Sequence, residues 1–167
     1  MKSVISLLSV LALLILTLVG CSGNYTTHTL GEISIELPKQ YERYADAEEL
    51  FDLSLTDGRA IIGLNRISFT DAIESGLDIT RTPRDFAEYY MESADVDSEV
   101  LVKGDVPYYT YTYDRLDVNY YCMIAFYRTP YAYHIATLMV KNEYKSEYEN
   151  AFVDYIDNVT MKLEEIK

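Results

Sequence analysis

The sequence predicts an α+β domain in which helices pack on one antiparallel sheet. Three observations carry this: runs that alternate apolar and polar residues with period two, a late block of three such runs joined by short turns, and two stretches with helix-start signals. The segment Glu32-Ile33-Ser34-Ile35-Glu36-Leu37 alternates and stops at Pro38, which marks a half-buried strand. Lys39 to Glu49 is polar and acidic. Phe51–Leu55 and Ala60–Ile67 flank Thr56-Asp57-Gly58-Arg59, and Asp-Gly between two apolar runs signals a hairpin. Asp71–Leu77 suits a short helix. Thr82-Pro83-Arg84-Asp85 supplies an N-cap, proline at the first helical position and an acid three residues after the cap, so Pro83 to about Ser93 is helical.

The second half holds the runs Tyr108–Tyr113, Val118–Tyr127 and Tyr131–Val140, joined by Asp114-Arg115-Leu116-Asp117 and Arg128-Thr129-Pro130. They read as an antiparallel meander. Ser146 to Glu149 then matches a capping box, and Tyr148, Phe152, Tyr155, Ile156, Val159 and Leu163 fall on one stripe of a long C-terminal helix. Pairing Tyr113 with Val118 and Tyr127 with Tyr131 would gather Tyr109, Tyr111, Tyr120, Cys122, Ile124, Phe126, Ala136, Leu138 and Val140 on one face. Tyr108, Tyr121, Met123, Tyr127, Tyr131, Tyr133, Ile135 and Met139 would share the other. Both faces are apolar, so helices are expected to cover both.

At the N-terminus, Lys2 precedes an apolar run from Val4 to Val19, and Leu18-Val19-Gly20-Cys21 follows. The charged start, the apolar core and the small residue before a cleavage point make a secretory signal. About sixteen apolar residues fall short of the ~20 that a membrane span requires. The end of this segment resembles the bacterial lipobox, which implies a signal peptide over 1–20 and Cys21 as a lipidated first residue. Residues 21–27 would be the lipidated cysteine and its tether, and 28–167 one globular domain of ordinary size. The implied location is the outer side of a bacterial membrane, and the implied partners are the bilayer itself and an envelope protein or small ligand.

The chain carries a net charge of −13, with 14 basic and 27 acidic residues. Loss of Lys2 with the signal makes the exported part about one unit more acidic. Such a charge excludes nucleic acid, whose binding needs Lys and Arg against phosphates, and it opposes adsorption to an anionic bilayer, which attracts basic segments. Once Cys21 is acylated, Cys122 is the remaining thiol, so no internal disulfide is expected.

The strand Ile33–Pro38, the hairpin around Asp57-Gly58, the helix at Pro83–Ser93 and the stripe Phe152-Tyr155-Ile156 together resemble the Mog1/PsbP-like superfamily, in particular its PsbP-related bacterial lipoproteins. The resemblance spans nearly the whole mature chain. It implies an α/β/α sandwich with a central antiparallel sheet and, since its members serve mostly as accessory, assembly or binding proteins, a role of that kind. No Gly-rich phosphate loop, H-E-x-x-H, C-x-x-C or G-x-S-x-G occurs, so no enzymatic activity or cofactor is expected.

Few residues invite chemistry. In the register above, His134 would be a diagonal neighbour of Cys122, which opens the possibility of a thiol–imidazole pair and a thiol hydrolase. That pairing depends on the turn at Arg128-Thr129-Pro130, because a slip of one residue reverses the face. Asp95, Asp97 and Glu99 alternate like the start of a calcium loop, but Val100 stands where the sharp turn requires glycine. No metal site is expected there. Seventeen tyrosines against no tryptophan suit either strand packing or a contact surface. The expected binding surface is the cluster Tyr108, Tyr121, Tyr127, Tyr131 and Tyr133, with a small-ligand carrier as the other non-enzymatic reading.

Overall fold

A computed structural model describes residues 24–162. The signal segment, Cys21 and Leu163 lie outside the described residues. Ten strands form two antiparallel sheets. The smaller contains β1 (Tyr25–Leu30), β2 (Ile33–Pro38) and β10 (Val159–Met161), in the order β1-β2-β10. The larger has seven strands in the order β3-β4-β5-β9-β8-β7-β6. These are β3 (Glu42–Arg43), β4 (Leu53–Thr56), β5 (Ala60–Ser68), β6 (Leu101–Lys103), β7 (Val106–Arg115), β8 (Val118–Arg128) and β9 (Ala132–Lys141).

Three helices complete the fold: α1 (Phe69–Glu74), α2 (Pro83–Ser93) and α3 (Lys145–Asp157). At α2 the sequence signals act as expected, since Thr82 accepts from the Asp85 amide and the Asp85 carboxylate accepts from the Thr82 amide, around Pro83. Helix α3 departs from expectation at both ends. A 3₁₀ turn over Asn142–Tyr144 runs directly into it, so Tyr144 is the cap residue, Ser146 is already helical, and no side chain caps the start. At the other end the helix stops at Asp157, and Val159 joins β10, where it pairs with Ile35. The free edge of β2 takes the last apolar residues away from the helix.

Two further expectations change. Tyr25–Thr27, assigned to the tether, belong to β1, with Tyr25 opposite Pro38. The meander register also differs. Tyr113 pairs with Tyr120 rather than Val118, a displacement of two that preserves the faces. Tyr127 pairs with His134 rather than Tyr131, a displacement of three that turns every residue of β9 to the opposite face. The cause is a wider loop. The Thr129 amide donates to the Ala132 carbonyl at 2.9 Å, and the Thr129 hydroxyl accepts from the Ala132 amide at 3.2 Å, so the chain reverses over Thr129–Ala132.

With that register the large sheet separates two cores. One face sets Tyr121, Met123, Ala125, Tyr127, Ala136, Leu138 and Val140 against β2 and against Phe152 and Ile156 of α3. The other sets Tyr109, Ile124, Phe126, Tyr133 and Ile135 against Phe86 and Ala87 of α2. The expected sandwich is therefore present, with the small sheet sharing one outer layer with α3. At Gly63 a side chain is impossible, because a β-carbon there would collide with the Phe51 ring lying on the strand.

The β7–β8 hairpin closes over Leu116 and Asp117, with φ of 51° and 63°. Both residues occupy the left-handed region that two-residue hairpins demand and that Asn-Gly serves best. A leucine there is strained, and 89% of Leu116 faces solvent. Replacing the pair by Leu116→Asn with Asp117→Gly is expected to stabilise the domain by about 1 kcal/mol, since no buried contact is lost and the strain is relieved. The check is an upward shift in the denaturant midpoint at constant m-value.

Candidate functional site

The expected tyrosine surface does not assemble. Tyr108, Tyr121 and Tyr127 lie on the α3 face of the large sheet, and Tyr133 lies on the α2 face. The reversed register of β9 separates them. Tyr121, Tyr127 and Tyr133 are buried, and their hydroxyls serve the fold: Tyr127 donates to the Ile156 carbonyl at 2.9 Å, and Tyr133 to the Arg81 carbonyl at 2.8 Å. Tyr108 is half-buried against the α3-side core. Tyr131 sits in the β8–β9 loop with 37% of its surface exposed, and its carbonyl accepts from the Phe69 amide.

The same reversal removes the thiol–imidazole pair. Cys122 pairs with Tyr111 and Met139 and faces the α2 side, whereas His134, opposite Tyr127, faces the other. Cys122 is buried, and desolvation pushes its thiol up to about 12, so thiolate is scarce near neutrality.

His134 belongs instead to an ionic cluster that joins the two sheets. Glu32, in the β1–β2 turn, accepts two hydrogen bonds from Arg66 of β5, at 2.9 Å from Nε and 2.8 Å from Nη2. The His134 Nε2 lies 3.3 Å from a Glu32 oxygen, but out of hydrogen-bonding alignment, so both ring nitrogens are buried without a partner. Desolvation of the charged ring lowers the His134 pKa; the neighbouring Glu32 carboxylate opposes this in part, and Arg66 adds to it. The Arg66 fork holds the Glu32 carboxyl down at about 2. The turn leaves little room, as a β-carbon on Gly31 would come within 3.1 Å of the Arg66 side chain and its φ is +55°.

The surface feature that sequence reasoning missed is the outer edge of β7. Strand β6 covers only Val106–Tyr108 of this ten-residue strand. Beyond it, an open groove of about 600 Å³ runs between Thr110–Tyr113 and the loop Ala94–Asp97, with Tyr121 and Lys145 beside it. A rung of rings lines the α2 side of this edge, with Tyr111 and Tyr113 centroids 6.0 Å apart and Tyr113 and Tyr120 5.5 Å apart. The alternation Tyr109-Thr110-Tyr111-Thr112-Tyr113 was readable as strand, but strand order was not. Among the described residues, no group of three or more His, Cys, Asp or Glu side chains is arranged to hold a metal ion.

Two outcomes are expected. Cys122 should resist iodoacetamide at neutral pH in the native protein and react only on unfolding, as read by mass spectrometry of its peptide. For pH, His134 and His28 are both lowered, so the unfolded chain takes up protons below the ordinary imidazole value while the folded chain does not. The histidine contribution to stability is therefore complete above about pH 7 and is lost as pH falls below 6.5; the contribution of the depressed Glu32 is lost between about 4.5 and 2. Thermal midpoints against pH check this: His134→Leu should flatten the upper limb in part, with His28 supplying the rest, and Glu32→Gln should reduce the lower.

No protein-family model matches the chain, and no curated protein matches it. Solved structures do. The solution structure of cyanobacterial PsbP (CyanoP) from Synechocystis sp. PCC 6803 superposes with a TM-score of 0.53 at 10% identity, over 85% of this chain and 97% of that one. A crystal structure from Bacteroides thetaiotaomicron VPI-5482 superposes with a TM-score of 0.58 at 9% identity, over 85% of this chain and 49% of that one. The present chain thus spans about half the length of the Bacteroides protein. Likeness at these identities is one of backbone, and it agrees with the central antiparallel sheet, flanking helices and C-terminal helix: the chain has the PsbP-like fold.

Proposed function

We propose that this protein is a membrane-tethered, extracytoplasmic accessory or binding module without catalytic chemistry. The observation that carries the tethering is Leu18-Val19-Gly20-Cys21 at the end of an apolar signal. Strand β1 starts at Tyr25, so only Ser22, Gly23 and Asn24 separate the acylated cysteine from the domain. Such a tether reaches ~10 Å and sets the domain against the bilayer. The acidic chain does not adsorb to anionic lipid by itself, which leaves the acyl chains to supply attachment.

The binding role is supported by the fold, by the placement of Cys122 and His134 on opposite faces, and by an uncovered sheet edge beside an open groove. A carrier of small apolar ligands would need an enclosed pocket, and the groove is open. The test of the anchor is Cys21→Ser in the full chain with its own signal. The variant is expected in the soluble envelope fraction, while the parent stays with membranes through a high-salt wash. A variant that remains membrane-bound after the wash would overturn the lipid anchor.

A further inference from the structure

We propose that the free edge of β7 binds an extended, Lys- or Arg-bearing segment of a partner protein by strand addition. The inference rests on the binding-module reading and deepens it, but it does not depend on the lipid. The phase of the strand fixes which groups are offered. The Ser98 hydroxyl donates to the Thr110 carbonyl at 2.8 Å from the loop side, so Thr110 points its main-chain groups outward. By alternation Thr112 and Asp114 do the same, while Tyr109, Tyr111 and Tyr113 bond to β8. Among the described residues, no main-chain group bonds to the outer side of Thr112 or Asp114.

An uncovered strand edge is a template for another chain, and proteins defend such edges with charge, proline, a bulge or a covering loop. Thr110-Tyr111-Thr112-Tyr113 carries no charge or proline and pairs with β8 without a bulge, and the loop bonds it only at the Thr110 carbonyl. The groove of about 600 Å³ lies along this edge, between Thr110–Tyr113 and the loop Ala94–Asp97. Main-chain bonds would give affinity, and alternate side chains would meet Tyr111 and Tyr113 on the α2 side.

Charge selects the occupant. Asp95 and Asp97 line the groove, and among the described residues neither takes part in an ion pair. The one lysine present, Lys145, is 3.6 Å from Glu149. A basic segment finds carboxylates for its charged tips and tyrosine faces for its aliphatic stems. A second copy of this chain would bring its own net charge of −13 against the same carboxylates.

The experiment uses the purified full chain and a blocked eight-residue peptide of alternating Val and Lys, followed by fluorescence anisotropy. The Lys peptide is expected to bind at low salt. Methylating alternate peptide amides, or changing Thr112→Pro, should each weaken binding at least tenfold, since each removes edge hydrogen bonds. Asp95→Asn with Asp97→Asn should weaken it several-fold and flatten its salt dependence, and the Glu-for-Lys peptide should not bind. If Thr112→Pro does not fold by near-ultraviolet circular dichroism, Asp114→Pro gives the same reading. Absence of Lys-peptide binding, or binding indifferent to amide methylation and to the proline variants, overturns the proposal. So does a concentration-dependent dimer abolished by Thr112→Pro, which would assign the edge to a second copy. An envelope partner captured equally by parent and Thr112→Pro would reject the edge but keep the binding-module reading. Capture of no partner at all would reject that reading itself.

Discussion

Burial of both faces of β8 and β9 is the constraint on which the rest of the structure depends. From Tyr121 to Tyr127, and from Ala132 to Ala136, every residue is buried. Two strands without a solvent side require a cover above and below, which is why α2 packs on one face while α3 and β2 share the other. Within this apolar centre His134 is the polar exception. Its place opposite Tyr127 brings it under the β1–β2 turn, where Glu32 and Arg66 meet it. Among the described residues, the ionic link between the two sheets therefore stands over the histidine buried in β9.

Local chemistry was legible and long-range order was not. Thr82-Pro83-Arg84-Asp85 specified the start of α2 because capping is decided within four residues. Asp57-Gly58 specified a hairpin, and Asp57 indeed accepts from the amides of Arg59 and Ala60. Ser146 and Glu149 carried the same type of signal without effect, because the preceding 3₁₀ turn had already started α3. A local motif decides a boundary only where the flanking chain leaves the choice open.

The register of β9 shows the limit most clearly. Both faces of the meander are apolar, so the pattern Tyr133-His134-Ile135-Ala136 fits either orientation, and the outcome was set by the Thr129 hydroxyl in the loop. With this wider loop, Tyr133 packs with Phe86, and Cys122 and His134 lie on opposite faces. The edge of β7 was hidden for a related reason. A strand's neighbours depend on pairing across the whole chain, and composition does not reveal which strand is left last in line.

The small sheet joins the two extremities of the described chain, since Ile33 of β2 pairs with Met161 of β10. Contacts of such sequence separation cost loop-closure entropy before they return any stability, and they slow folding. During synthesis or export β2 emerges early, and its partner β10 emerges after every other described strand. Until then the edge of Ile33–Ile35 that β10 later takes stays open, and the α3 face of the large sheet also waits for its helix. The architecture therefore makes completion of the small sheet wait for Val159–Met161, and a chain halted before Val159 would retain an unsealed strand beside β1.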